Sequence, residues 1–148
     1  MAKEIRALII ANKTVFPALD GGSLAIKKLS KILSRQNYII DIVAISKNNS
    51  LKQEIHKKTS FPDEKITQFL FEKNMSFNIL NFFKSIFGGT SYQANRFYDV
   101  EIRDFIKNIL IKKTYSMIVF ESVFTMVYLN SLHFQNQEKI IFRAHNVE

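Results

Sequence analysis

The chain has 148 residues, 47% of them hydrophobic, which suits one domain with a packed core. It contains no cysteine, so disulfides and thiolate metal sites are excluded. The formal net charge is +8, carried by 16 lysines against 5 arginines without a recognisable nucleic-acid module, so no nucleic-acid partner is expected. The charge reads either as a solvated basic surface or as a contact with an anionic membrane or lipid-linked molecule.

Apolar residues open the chain at 5–11, a near-continuous run suited to a strand buried on both faces. It is too short for a signal-peptide core, and no later run approaches the roughly 18 apolar residues of a membrane span, so a cytoplasmic location is expected. A loop at 12–22 follows, with Pro17 and the pair Gly21-Gly22. The spacing of Ala25, Leu29, Ile32 and Leu33 predicts a helix over 23–35, with Asp20 or Ser23 as its cap. Residues 38–45 are rich in β-branched side chains and read as the second strand. Between 46 and 63 the chain is polar and poorly periodic, with a weak helix at 51–58, and 65–71 reads as the next strand.

Phenylalanines crowd 77–87 at helical spacing, and Gly88-Gly89 ends that segment as helix C-termini prefer. Two readings stand for it: core packing, or an apolar face on a membrane assisted by Lys73 and Lys84. Ile102, Phe105, Ile106, Ile109 and Leu110 predict a helix over 99–113. A strand at 116–120, a short helix at 125–132 and a strand at 139–143 complete the pattern. Strands alternating with helices predict an α/β fold, a Rossmann-like open parallel sheet with helices on both faces, in a single domain spanning 1–148. A covering helix normally follows a strand in such a sheet, so a chain stopping at Glu148 reads as a truncated domain.

Ligands of open parallel sheets bind beyond the carboxyl ends of the strands. Three segments reach that edge: Asp20-Gly21-Gly22-Ser23, Glu121-Ser122, and Arg143-Ala144-His145-Asn146-Val147-Glu148. Gly21, Gly22 and Ser23 open a helix, so their N–H groups and the helix dipole suit a phosphate or diphosphate. A tight turn before a helix explains the two glycines equally well. His145 lies among Arg143, Asn146 and Glu148, a concentration of polar groups after a buried strand that is costly unless they meet a ligand or one another. Glu121 reads as an acceptor for a hydroxyl-rich ligand or as an ion-pair partner of Arg143, for which Glu148 is the alternative. His56, His133 and His145 lack the spacing of a metal pair and no HExxH motif occurs, so no metal site is expected.

The apolar strand, the loop ending in Gly21-Gly22, the Leu24-Ala25-Ile26-Lys27-Lys28-Leu29 helix, Thr90-Ser91-Tyr92-Gln93, the stretch from Tyr115 to Glu121 and the ending Arg-Ala-His-Asn-Val-Glu together resemble the N-terminal domain of glycosyltransferase family 4, the group 1 glycosyltransferases. The resemblance implies half of a GT-B fold and transfer of a hexosyl-type sugar, with retention, from a nucleotide-sugar donor to a glycan or lipid-linked acceptor, as in cell-envelope polysaccharide synthesis. The nucleotide-sugar is a co-substrate; no cofactor and no essential metal are implied. By the same resemblance Gly21, Gly22 and Ser23 approach the donor diphosphate, His145 is the catalytic candidate beside the donor sugar, and Glu121, Arg143, Asn146 and Glu148 belong to the cleft. The family's donor-binding basic residues and paired glutamates lie in a C-terminal domain absent from these 148 residues, so the chain alone is expected to be inactive. Competing readings are a non-catalytic α/β module that binds an anionic partner or membrane surface, and another Rossmann-like nucleotide-binding enzyme.

Overall fold

A computed structural model describes residues 4–47, 55–73, 98–132, 134 and 138–144. Among them are strands β1 (Ile5–Ala11), β2 (Tyr38–Lys47), β3 (Ile55–Phe61), β4 (Ile66–Lys73), β5 (Met117–Glu121) and β6 (Lys139–Arg143), and helices α1 (Gly21–Arg35) and α2 (Val100–Lys112). They form one sheet in the order β3-β4-β2-β1-β5-β6. All neighbours run parallel except β3, which pairs antiparallel with β4 at the edge. The Rossmann-like α/β class expected from the sequence is therefore the class found.

The strand at the centre explains the layering. Ala7, Leu8, Ile9, Ile10 and Ala11 of β1 have no exposed surface. Alternate side chains of a strand point to opposite faces, so both faces must be covered. Leu8 and Ile10 join Val43, Ile45, Ile118 and Phe120 under Ile102, Ile106, Ile109 and Leu110 of α2. Ala7, Ile9 and Ala11 join Ile40, Ile42 and Ala44 under Ile26 and Leu33 of α1.

Three expectations are corrected. The weak helix at 51–58 is not present: β3 runs through its latter part, and residues 48–54 lie outside the described residues. Its polar stretch Lys57-Lys58-Thr59-Ser60 is exposed, as suits an edge strand that charged side chains keep from pairing further. The sheet therefore gains a sixth strand, and it is antiparallel. The short helix expected at 125–132 is a 3₁₀ helix, Val123–Ser131. The buried stripe of α1 is Ser23, Ile26, Ser30 and Leu33, whereas Ile32 is 52% exposed. Serines can face the sheet there because their hydroxyls are satisfied locally, Ser30 donating to the Lys27 carbonyl at 2.8 Å. The phenylalanine-rich segment 77–87, Gly88-Gly89 and Thr90 to Gln93 lie outside the described residues.

One buried charge locks α2 to the sheet. Asp41 of β2 is 2% exposed, accepts a 2.6 Å bond from the Tyr115 hydroxyl and a 2.9 Å contact from Lys113, and lies 4.0 Å from Arg6. Burial, and then the Asp41 charge, push the Tyr115 hydroxyl far above the usual range, so it stays a donor. The pair joins the C-terminal cap of α2 to β2.

The revised stripe of α1 makes a contrast between adjacent residues. Leu33→Ala should lower unfolding free energy by about 2–3 kcal/mol, since it empties a core site. Ile32→Ala should change it by no more than about 0.5 kcal/mol, the response of an exposed position. Urea denaturation of the two variants measures both, and equal losses would restore the stripe read from the sequence.

Candidate functional site

Register brings the strand ends together. Ala44 of β2 lies opposite Ala11 of β1, Ala11 opposite Glu121 of β5, and Glu121 opposite Arg143 of β6. The segments after β1, β5 and β6 therefore leave the sheet along one line, as the topology led us to expect. Both helices begin at this edge, since each precedes a strand parallel to β1.

The first segment leads from β1 to α1. Asp20 is the N-cap: its side chain accepts from the Ser23 N–H at 2.7 Å, and the Ser23 hydroxyl accepts from the Asp20 N–H at 2.9 Å. This reciprocal capping box decides between the two cap candidates, Asp20 being the cap and Ser23 the third helical residue. The Ser23 hydroxyl also accepts from the Leu19 N–H, so it ties the end of the loop to the helix. Gly21 and Gly22 are thus the first two residues of α1 rather than the end of the loop. Their N–H groups have no acceptor among the described residues, as the first turn of a helix leaves them.

Lys13, on the same loop, pairs with Asp20 at 3.0 Å. A Cβ on Gly22 would stand 2.8 Å from the Lys13 ammonium, whereas one on Gly21 would meet nothing within 4 Å. The ammonium therefore lies against the open end of the helix, next to the free amides. The backbone N–H of Ser23, then Lys13, hold the Asp20 carboxyl down at about 2.

Glu121 and Arg143 form the second cluster. Glu121 has no exposed surface, and Arg143 Nη1 reaches its Oε1 at 2.5 Å. Of the two partners open to Arg143 in the sequence, Glu121 is engaged, and Glu148 lies outside the described residues. Ser122 follows at φ 87°, ψ 149°, a backbone region left almost entirely to glycine and costing about 1–3 kcal/mol. Its surroundings hold it there: its N–H donates to the Arg143 carbonyl at 2.9 Å, its hydroxyl accepts from the Phe124 N–H at 3.2 Å, and Thr125 donates to its carbonyl at 2.9 Å. His145, Asn146 and Glu148 lie outside the described residues, and Ala144 is the last residue described before them.

Sequence reading passed over Lys13, Thr125 and Gln68, and named Ser122 only by its place after β5. Gln68 is 1% exposed between Ile66 and Leu70 on β4, and its amide bonds the loop after β1. The signal for it was a polar residue in phase with apolar ones on the buried face of a strand, where an unpaired amide is costly. The strained backbone of Ser122 gave no such signal, because its φ is a property of the fold. Among the described residues no cluster of His, Asp or Glu is placed to hold a metal ion, and no helix is long and apolar enough to cross a membrane.

The cap gives a pH-dependent expectation. A carboxyl depressed on folding stabilises the fold above its unfolded value near 3.8, and that contribution is lost as pH falls through about 2. Asp20→Ala should cost about 1 kcal/mol near neutral pH. In urea titrations its deficit relative to the unsubstituted chain should shrink as pH drops from about 4 towards 2. A deficit constant over that range would mean the ionised carboxylate is not the cap.

No protein-family model and no curated protein matches the sequence. Solved structures do match the fold. A sucrose-phosphate synthase from Thermosynechococcus elongatus superposes with a TM-score of 0.56 at 12% identity, over 96% of this chain and 33% of that one. A trehalose-6-phosphate structure from E. coli bound with UDP-2-fluoro glucose gives 0.52 at 14% identity, over 95% of this chain and 33% of that one. An OtsA apo structure gives 0.51 at 13% identity, with 95% and 33% covered. The chain spans about a third of the length of these proteins. At such identities the likeness is one of fold, and the fold is the Rossmann-like half of a GT-B fold expected from the sequence.

Proposed function

We propose that the chain is the acceptor-side half of a retaining glycosyltransferase that takes its sugar from a nucleoside-diphosphate donor. The observation that carries this reading is the open end of α1. Two backbone N–H groups without an acceptor among the described residues, at Gly21 and Gly22, and the Lys13 ammonium converge at the carboxyl edge of a Rossmann-like sheet. Free amides at a helix start, beside a cation, suit a diphosphate. Stabilising the leaving diphosphate is the electrostatic task of a sugar transfer from such a donor. Fold likeness to sucrose-phosphate synthase, and to a structure that holds UDP-2-fluoro glucose in that protein, supports the same class.

In this reading Gly21 and Gly22 donate to diphosphate oxygens, Lys13 offsets their charge without a divalent cation, and Ser23 holds the turn that presents them. His145 orients the donor sugar from the segment after β6. Glu121, Arg143, Asn146 and Glu148 border the cleft on the acceptor side, which receives a glycan or lipid-linked hydroxyl. A second α/β domain supplies the remaining donor contacts and faces this edge, on the cytoplasmic side of the membrane.

Titration of ¹⁵N-labelled chain with UDP should shift the Gly21 and Gly22 amide signals, and Lys13→Ala should weaken binding several-fold. Absence of any shift at millimolar UDP sinks the diphosphate assignment. The isolated 148 residues should show no sugar transfer from UDP-glucose or GDP-mannose, and measurable turnover would contradict the half-site.

A second reading, membrane-surface docking, is favoured by the outer face of α1. Leu24 and Ile32 are 45% and 52% exposed, in line at i, i+4 and i+8 with exposed Lys28, and Arg35 lies one turn on. Lys31 is paired with Glu64 at 2.6 Å and Lys27 lies over the Phe16 ring, so Lys28 and Arg35 carry the test. Co-sedimentation with phosphatidylglycerol vesicles should fall at least tenfold in Lys28→Glu/Arg35→Glu. Unchanged pelleting, or none by the unsubstituted chain, rejects the contact.

A further inference from the structure

The segment between β1 and α1 does not take the short way to its helix. Thr14, Val15 and Phe16 sink into the core on the α1 face, with Val15 wholly buried and Phe16 9% exposed. The Phe16 ring packs 4.7 Å from that of Phe61 at the end of β3. Buried backbone outside regular structure needs partners for its polar groups. Here one side chain supplies three. Gln68, two strands away on β4, accepts from the Val15 N–H at 3.0 Å and the Phe16 N–H at 2.8 Å, and donates to the Phe16 carbonyl at 2.8 Å. A carboxamide is the side chain that can accept two N–H groups on one atom and donate from the other.

The far end of the same loop is fixed to α1, through Leu19 and Asp20 N–H groups donating to the Ser23 hydroxyl. Few residues separate the two anchors, Phe16 and Leu19, and Pro17 adds rigidity between them. Lys13 stands just before the first anchor, and Gly21 just after the second. We infer that Gln68 is a positioning residue: by latching Val15 and Phe16 to β4, it sets where Lys13 and the Gly21-Gly22 amides stand at the start of α1. The inference rests on the diphosphate reading only for its consequence in binding; the latch itself is tested without a ligand.

Gln68→Glu is nearly isosteric and separates the two roles of the amide. Ionised, the carboxylate still accepts from Val15 and Phe16 but turns an acceptor towards the Phe16 carbonyl; protonated, it regains the donor. Amide-exchange protection factors, corrected for intrinsic rates, should fall about tenfold at Val15, Phe16, Leu19, Asp20 and Ser23 near pH 8. Ile9 and Val43 in the sheet should keep theirs, and protection should return as pH is lowered and the new carboxyl protonates. Should Gln68→Glu unsettle the whole sheet, seen as loss at Ile9 and Val43, Gln68→Met carries the same measurement without a charge. Loss confined to Val15 and Phe16, with Leu19, Asp20 and Ser23 protected as before, overturns the inference. In a parallel arm, UDP affinity should drop about tenfold in Gln68→Glu near pH 8 and recover with the protection factors. Failure of the unsubstituted chain to bind UDP would refute the diphosphate reading while the exchange data still decide the latch.

Discussion

Everything at the candidate edge depends on the complete burial of β1. A strand with five consecutive residues at zero exposure must be covered on both faces. Helices α1 and α2 do this, one on each side. Each enters a strand parallel to β1, so each starts at the carboxyl edge of the sheet. The requirement to bury Ala7–Ala11 therefore delivers two helix N-termini, with their partial positive charge, to the place where the strand ends converge.

The two helix starts use the same device with different results. Each has an aspartate cap paired with a lysine: Asp20 with Lys13 at 3.0 Å, and Asp99 with Lys73 at 2.7 Å. Burial raises the Asp99 carboxyl, but Lys73 and the N–H groups of Ile102 and Glu101 outweigh it, and the group ends below the ordinary value. Its Oδ1 takes both of those N–H groups, and its backbone N–H donates to the buried Tyr128 hydroxyl at 3.1 Å. At α2 the cap carboxylate thus takes the second and third N–H groups of the helix. At α1 the cap carboxylate takes the Ser23 N–H and leaves Gly21 and Gly22 open. The two starts therefore differ in what the cap engages, Glu101 and Ile102 at α2 but only Ser23 at α1.

Periodicity made most of the framework legible: β1, α2 and β5 lie within a residue or two of where apolar spacing put them, because their burial follows their sequence pattern. Strand β6 lies where expected although Ile140, Ile141 and Phe142 are exposed rather than buried. Where the pattern misled, packing had overruled hydrophobicity. The inward face of α1 holds Ser23 and Ser30 in place of Ala25 and Ile32, since small hydroxyls with local acceptors fit close to the sheet. β3 was hidden because an edge strand with both faces in water has no alternation to display. At the site, the glycine pair and the Glu121–Arg143 alternative were visible as residue types in a row. The loop's route through the core was not, because it depends on Gln68, 52 residues away from Phe16. No local pattern encodes a contact of that range.

Charge along the edge is cancelled pairwise among the described residues, and the two flanks differ in how their backbone is engaged. On the β5–β6 side, Arg143 is matched by a wholly buried Glu121, and the strained Ser122 corner seals the backbone between them. Among the described residues that side offers a fixed pair rather than a free charge. On the α1 side, the Asp20 carboxylate is engaged by a helix amide and by Lys13, whose ammonium has three N–H donors and gives Asp20 a short bond with one. Two further N–H groups, at Gly21 and Gly22, open the same helix end without acceptors among the described residues. Each flank thus holds one matched charge pair, and they differ in the Gly21 and Gly22 amides. On the reading proposed above, a diphosphate belongs on the α1 side because the open amides are there, not because that flank carries a net charge.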